Sequence, residues 1–100
     1  MEINKYYYIL YVIDSTDHVS FISNTDPITY TNCISDAKLY DDVVNVDNDI
    51  LENYERMKSM LNSGCIKGFI KAFIEVSKYN NYNIVGRERI LWQDLYIQKS

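Results

Sequence analysis

The spacing of hydrophobic positions changes along this chain. From Lys5 to Asp14 the apolar and aromatic residues Tyr6, Tyr7, Tyr8, Ile9, Leu10, Tyr11, Val12 and Ile13 follow without a break. Most are β-branched or aromatic, the types that fill the pleated surface of a strand. Alternation sends Tyr6, Tyr8, Leu10 and Val12 to one face and Tyr7, Ile9, Tyr11 and Ile13 to the other. Both faces are apolar or amphipathic, so this strand is expected to be central or covered on both sides. Asp14-Ser15-Thr16-Asp17 is a turn cluster, and His18–Ser23 follows as a second strand, completing a hairpin. Asn24-Thr25-Asp26-Pro27 breaks the chain again, and Ile28–Thr31 is short and β-prone. Ala37–Tyr40 fits either another short strand or the first turn of a helix after Ser35.

The period then lengthens. Ile50, Tyr54, Met57 and Leu61 recur at spacings of four, three and four, which draws one apolar stripe and predicts a helix over 49–62. Asp49 with Glu52 resembles a capping box at its start. Glu52 and Glu55 precede Arg56 and Lys58, an order that suits the helix dipole, and Asn62-Ser63-Gly64 supplies a stop. Ile66–Lys78 fits both periods. Its β-branched and aromatic residues favour a strand from about Phe69 to Lys78. Asn80–Asn83 is a polar turn, Ile84-Val85 can pair as a strand and Gly86 can bend it. Ile90–Gln98 reads as a closing strand with a short helix as the alternative, which leaves the burial of Trp92 and Tyr96 open. Strands, one helix, then strands predict an α+β domain. It should hold a small antiparallel sheet of about four to six strands, with one main helix packed on one face. Short strands leave edges, and a tyrosine-rich edge invites self-pairing, so a homodimer is an expectation.

Composition narrows the class. One hundred residues bound the chain to a single domain, 1–100, and an apolar share of 47% is enough for a folded core. The net charge of −4 gives no bulk attraction to phosphate backbones, and no direct nucleic-acid binding is expected. The charge is uneven: residues 1–50 hold two Lys against nine acids, −7, and residues 51–100 hold eight Lys or Arg against five acids, +3. Such asymmetry signals either an interaction face or a surface that averages out once folded. The two cysteines, Cys33 and Cys65, are not a C-x-x-C pair, and with one histidine they cannot close a zinc site. They are expected to be free, buried thiols in a reducing compartment. The first residues lack the basic region and cleavage site of a signal peptide. The longest apolar run, eight residues, falls far short of the ~20 that span a bilayer. The chain reads as cytosolic, with no membrane association.

Catalytic signatures are missing. His18 is the single histidine, beside a turn, with no local nucleophile signature around Cys33 or Cys65. Glycines 64, 68 and 86 do not form a phosphate-cradling loop. Asp47-Asn48-Asp49 resembles the start of a calcium loop, but its sixth and twelfth positions are Glu52 and Lys58 rather than glycine and a carboxylate. Glu75-Val76-Ser77-Lys78 is one residue too long for the Glu-x-Lys strand of metal-dependent nucleases and puts its ends on opposite faces. No cofactor and no metal are expected. Lys67, Lys71, Lys78, Arg87 and Arg89 alternate with Phe69, Phe73, Tyr79, Tyr82 and Trp92, a pattern that suits single strands; the acidic total argues for core aromatics and solvated bases instead. What remains is an acidic belt: Asp36, Asp41, Asp42, Asp47, Asp49, Glu52 and Glu55 against a single Lys38. Spaced carboxylates on a rigid scaffold imitate a row of phosphates and can occupy a basic groove. The competing account is a solubilising loop followed by acids at a helix start.

Ile, Asn, Tyr and Lys supply forty residues, and Ala, Gly, Pro and Arg supply nine, the bias of an AT-rich genome. In size, acidity, tyrosine and asparagine content and lack of catalytic motifs, the chain resembles the small accessory proteins of phages and mobile elements, above all the anti-CRISPR class. No residues carry over, because no motif is shared. The resemblance implies a non-catalytic viral inhibitor in the cytoplasm of a bacterial host, binding a defence nuclease or its guide complex and blocking DNA loading. The acidic belt would be its contact with a basic channel. A self-associating structural or regulatory module is one alternative, and a small nucleotide-binding or nucleotide-sequestering protein is another.

Overall fold

The β-prone run that opens the chain becomes the middle of a five-stranded antiparallel sheet. The computed structural model describes residues 4–90. Their elements are β1 (Lys5–Asp14), β2 (Val19–Thr25), β3 (Ile28–Thr31), a 3-10 turn (Ile34–Asp36), α1 (Val43–Glu52), α2 (Tyr54–Asn62), β4 (Ile66–Val76) and β5 (Tyr82–Arg89). The strand order β3-β2-β1-β4-β5 makes the fold α+β, with β1 central as its two apolar faces required. The tyrosines of β1 therefore lie mid-sheet. Among the described residues the edges are β3 and β5. The closing strand expected over 90–98 falls, past Ile90, outside the described residues, as do Trp92 and Tyr96.

β1 pairs along its whole length with β4, from Lys5 opposite Val76 to Asp14 opposite Ile66. It shares only Tyr11–Ile13 with β2. Beyond that stretch the neighbour of β1 is the segment 37–40. Lys38 N–H donates to the Ile22 carbonyl (3.0 Å), and Tyr8 and Tyr40 exchange both backbone hydrogen bonds (2.8 and 2.9 Å). Ala37–Tyr40 is thus neither a full strand nor a helix start. It contributes one bridge, at Tyr40, and that bridge turns Lys38 and Tyr40 to the helix-bearing face.

The two faces of the sheet build two cores. On one, Leu10, Val12, Ile22 and Phe69 meet Val46 and Ile50 of α1 and Tyr54 and Met57 of α2. On the other, Ile9, Tyr11, Ile70, Ala72 and Ile74 are joined by Ala37. The alternation of β1 and β4 thus feeds both layers.

The single helix expected over 49–62 is two short helices. α1 begins at Val43, and its cap is Asp42, whose Oδ1 accepts the Asn45 N–H at 2.9 Å. The Asp49–Glu52 capping box does not form, because Asp49 lies inside α1. Val43 and Val44 disguised the true start: they are β-branched, and Val44 is 60% exposed, so it adds nothing to the apolar stripe. The break falls at Asn53. Its side-chain amide donates to the Asp49 carbonyl (2.9 Å), and its N–H is shared between the Asp49 and Ile50 carbonyls (3.2 Å each). Asparagine competes in this way with the regular helix ladder. The stripe itself survives the break: Ile50, Tyr54 and Met57 are buried, and Leu61 packs against them.

The cysteines are free, as expected, but exposed rather than buried. Both lie in connections, Cys33 before the 3-10 turn and Cys65 between Gly64 and β4, where no apolar layer covers them.

The stripe carries the helix layer, so truncating it should be costly. Ile50, 1% exposed, changed to Ala should lose about 3 kcal/mol. Val44→Ala should stay within about 0.5 kcal/mol of wild type. Urea denaturation of both variants checks the layer, and equal losses would place the helix face elsewhere.

Candidate functional site

Helix α1 is flanked on each side of its buried stripe by one carboxylate, and each carboxylate meets a lysine rooted in or beside the sheet. On one flank Asp49 accepts from Lys38 Nζ at 2.9 Å. It also accepts from Thr25 Oγ1 (2.8 and 3.0 Å to its two oxygens) and from Asn53 Nδ2 (3.3 Å). The Tyr40 hydroxyl donates a short hydrogen bond to the same carboxylate. Lys38 Nζ lies 5.2 Å from the Tyr40 ring centroid, so its charge is held from two directions. On the other flank Asp47 accepts from Lys71 Nζ at 3.0 Å, and Glu88 of β5 stands 3.7 Å from the same ammonium.

Burial opposes ionisation of Asp49, but the hydrogen bonds from Tyr40, Lys38 and Thr25 outweigh it and hold the carboxyl below the ordinary aspartate range. Tyr40 moves the other way. Burial, then its bond to the Asp49 carboxylate, raises its phenol well above the usual tyrosine range. Phenol, ammonium, hydroxyl and carboxylate are groups that can move protons. Here each is spent on another member of the cluster, and no buried side-chain polar atom among the described residues lacks a partner. The cluster's work is to hold α1 to the sheet. Beside it opens a shallow trough of about 370 Å3, walled by Tyr40 and Asp49 and by Asn45, Asn48 and Glu52 on the outer side of α1.

The structure divides the seven acids of the belt. Asp47 and Asp49 are half-buried and tied into the two flanking clusters. Asp42 is exposed and caps α1. Asp36 in the 3-10 turn, Asp41 before α1, Glu52 at the end of α1 and Glu55 in the first turn of α2 are exposed. The dipole explanation holds for Glu55 and fails for Glu52, because α1 starts earlier than its apolar stripe suggests.

The other candidates separate. His18 is exposed at a hairpin turn, its Nδ1 3.3 Å from Thr16 Oγ1, and among the described residues no hydrogen bond joins it to a thiol. No group of three or more His, Cys, Asp or Glu among the described residues is placed to hold a metal ion. Of the interleaved bases, Lys67 pairs with Asp17 at 2.7 Å and Lys71 with Asp47, while Phe69 is core and Phe73 stacks on Tyr6 at 5.5 Å. The Thr25–Lys38–Tyr40–Asp49 cluster was not visible in the sequence. Its members come from β2, the 37–40 segment and α1, and no spacing rule links them.

No protein-family model matches the chain, and no curated protein and no solved structure matches it. No helix among the described residues is long and apolar enough to cross a membrane.

The Asp49 cluster makes stability depend on pH. The folded state holds this carboxyl below its unfolded value, so the stabilisation is full above about pH 4 and is lost as the pH falls through the folded value. Asp49→Ala should cost about 2–4 kcal/mol at neutral pH, since Thr25 and Tyr40 lose their buried acceptor. Asp49→Asn should flatten the acid limb of a stability–pH curve measured by thermal melts. An unchanged acid limb would remove Asp49 from the account.

Proposed function

We propose that this chain is a non-catalytic binding protein that inhibits a bacterial defence system of the anti-CRISPR type. It acts in the host cytoplasm and sets the outer acidic side of α1, with Glu55 at the start of α2, against a basic groove of a defence nuclease or its guide complex. One observation carries the reading. After the fold has used Asp47 and Asp49 to anchor α1, the acids Asp36, Asp41, Glu52 and Glu55 remain exposed around a helix that contains no basic residue. Glu52, at the end of α1 where the dipole disfavours an anion, has no ion-pair partner among the described residues. A protein that needed these positions only for solubility would gain from a lysine there.

Docking of this kind relies on opposed fields across a groove, which speed encounter and weaken as salt shortens the screening length to about 8 Å at physiological strength. The half-buried pair Asp47 and Asp49 supports the surface from behind and does not itself face a partner.

The reading is tested by co-expressing the protein with active CRISPR systems and measuring survival of a targeted plasmid. The wild-type chain should protect the plasmid from at least one system. A variant with Asp41→Asn, Glu52→Gln and Glu55→Gln should keep near-wild-type melting and lose about tenfold or more of the protection, equivalent to roughly 1.4 kcal/mol of binding. Protection unchanged by the triple substitution, or none against any system, overturns the proposal.

A further inference from the structure

The helix-bearing face of the sheet has a part that the helices leave half-covered. They bury Leu10, Val12 and Phe69, whereas Tyr8 and Phe73, nearer the start of β1, are only half-buried. Tyr8 stands opposite Phe73, and Phe73 stands opposite Gly86, so one row of this face crosses β1, β4 and β5. The row carries two aromatic rings and then no side chain. Over it opens a slot of about 260 Å3, lined among the described residues by Tyr8, Phe73 and Gly86, with Lys71, Arg87 and Glu88 around them.

Gly86 makes the slot, and the backbone does not call for glycine there. Of the described glycines only Gly64 has a positive φ. A Cβ on Gly86 would meet Phe73 Cβ at 3.7 Å, an ordinary contact, and nothing closer. Gly68 is the contrast: a Cβ there would stand 2.6 Å from Arg89 Nη2. The register slip between Phe73 and Ile74 leaves Val85, not Gly86, without an opposite residue. Glycine weakens the interior of a strand, so alanine or valine would suit the sheet better at this position. What glycine supplies is open space beside Phe73.

The ring that lines the slot is held in place. Phe73 stacks on Tyr6, with 5.5 Å between centroids and 10° between planes, and Tyr8 leans against it at 5.0 Å. The Tyr6 hydroxyl in turn donates to Glu75 Oε2 at 2.8 Å. In the adjoining row Lys71 faces Glu88. Lys71 gives its closer bond to Asp47 (3.0 Å) and stands 3.7 Å from Glu88, so the Glu88 carboxylate keeps capacity to accept a hydrogen bond.

Three features select the occupant. The volume lies below the about 300–1,000 Å3 of small-molecule sites and suits one inserted side chain. The aromatic lining suits a flat ring. An ammonium and a carboxylate stand together at the rim, which suits a ring whose face attracts a cation and whose edge donates an N–H. An indole meets all three conditions, and tryptophan is among the residues most enriched where protein partners anchor. We infer that the Gly86 slot receives a tryptophan side chain of a protein partner, its ring against Phe73 and Tyr8 and its Nε1–H donated to Glu88. The inference does not rest on the acidic docking surface, and its test involves no CRISPR system.

Titration of the isotope-labelled protein with N-acetyltryptophanamide, followed by amide chemical shifts, tests the assignment. Shifts should centre on Tyr8, 71–73 and 86–88, with an affinity of about 1 mM for the isolated side chain. N-acetylleucinamide and the indole-N-methylated tryptophanamide should each bind about fivefold more weakly, the second through loss of one hydrogen bond. Glu88→Ala should weaken N-acetyltryptophanamide about fivefold and leave the N-methylated form unchanged. Gly86→Ala should melt no lower than wild type, and Gly86→Val should fill the slot and reduce affinity about tenfold. The assignment is overturned by no shifts at about 10 mM ligand, by shifts mapping elsewhere, by equal binding of the N-methylated form, or by binding that survives Gly86→Val. A lower melting temperature of Gly86→Ala would give the glycine a structural role and overturn it too, as would AMP binding the slot more tightly than N-acetyltryptophanamide.

Discussion

The helix layer of this protein depends on two lysines that reach α1 from either side of its apolar stripe. Lys38 comes from the segment that bridges to β1 and holds Asp49; Lys71 comes from β4 and holds Asp47. Hydrophobic burial alone supplies area without direction, and α1 contributes only two fully buried side chains, Val46 and Ile50. With an anchor on each flank the helix cannot roll about that narrow stripe without breaking one of them. The Lys38 anchor also accounts for the irregular course of the chain between β3 and α1. Tyr40 must bridge to Tyr8 for Lys38 and its own hydroxyl to arrive at Asp49, so the sheet and the helix layer are joined at the same few residues.

These anchors give the charge asymmetry along the sequence a physical content. The acidic first half and the basic second half meet in space: Asp17 with Lys67 and Asp47 with Lys71. The two contacts differ in worth. Lys67 and Asp17 are exposed, with side chains 47% and 75% accessible, and such a pair contributes at most about 1 kcal/mol. Lys71 is 14% accessible, and screening weakens its contact with Asp47 less. Part of the asymmetry is therefore internal pairing. Asp36, Asp41 and Glu52 form no ion pair among the described residues, and the proposed docking surface draws on them.

The strands were legible because their signal is local. A run of aromatic and β-branched residues marked β1, its two apolar faces marked it as central, and composition favoured a strand for β4 over its competing helical period. The apolar stripe of the helices was legible for the same reason. Their division was not, because it turns on one asparagine side chain folding back on the backbone, and the start of α1 was hidden by two valines that look like strand. Burial of the cysteines was misjudged because average behaviour of a residue type stood in for position: both fall in connections. The Asp49 cluster lay beyond any reading of spacing, since Thr25, Lys38, Tyr40 and Asp49 converge only through the register of β2 and the bridge at Tyr40.

The sheet separates two chemistries. On the helix side, Lys38 and Lys71 are held by Asp49 and Asp47, and exposed carboxylates surround α1. On the far side, at the start of β1, Lys5 and Lys78 border a trough lined among the described residues by Tyr7, Val76 and Tyr82. A five-stranded sheet between two apolar layers of side chains keeps the opposed fields apart at low dielectric cost, because neither set of charges must be buried to coexist with the other. Mixing them on one face would have let them neutralise each other, as Lys67 and Asp17 do. The exposed acids beside α1 and the ammonium of Lys5 thus stand on opposite faces of the sheet, a separation that the net charge of −4 does not reveal.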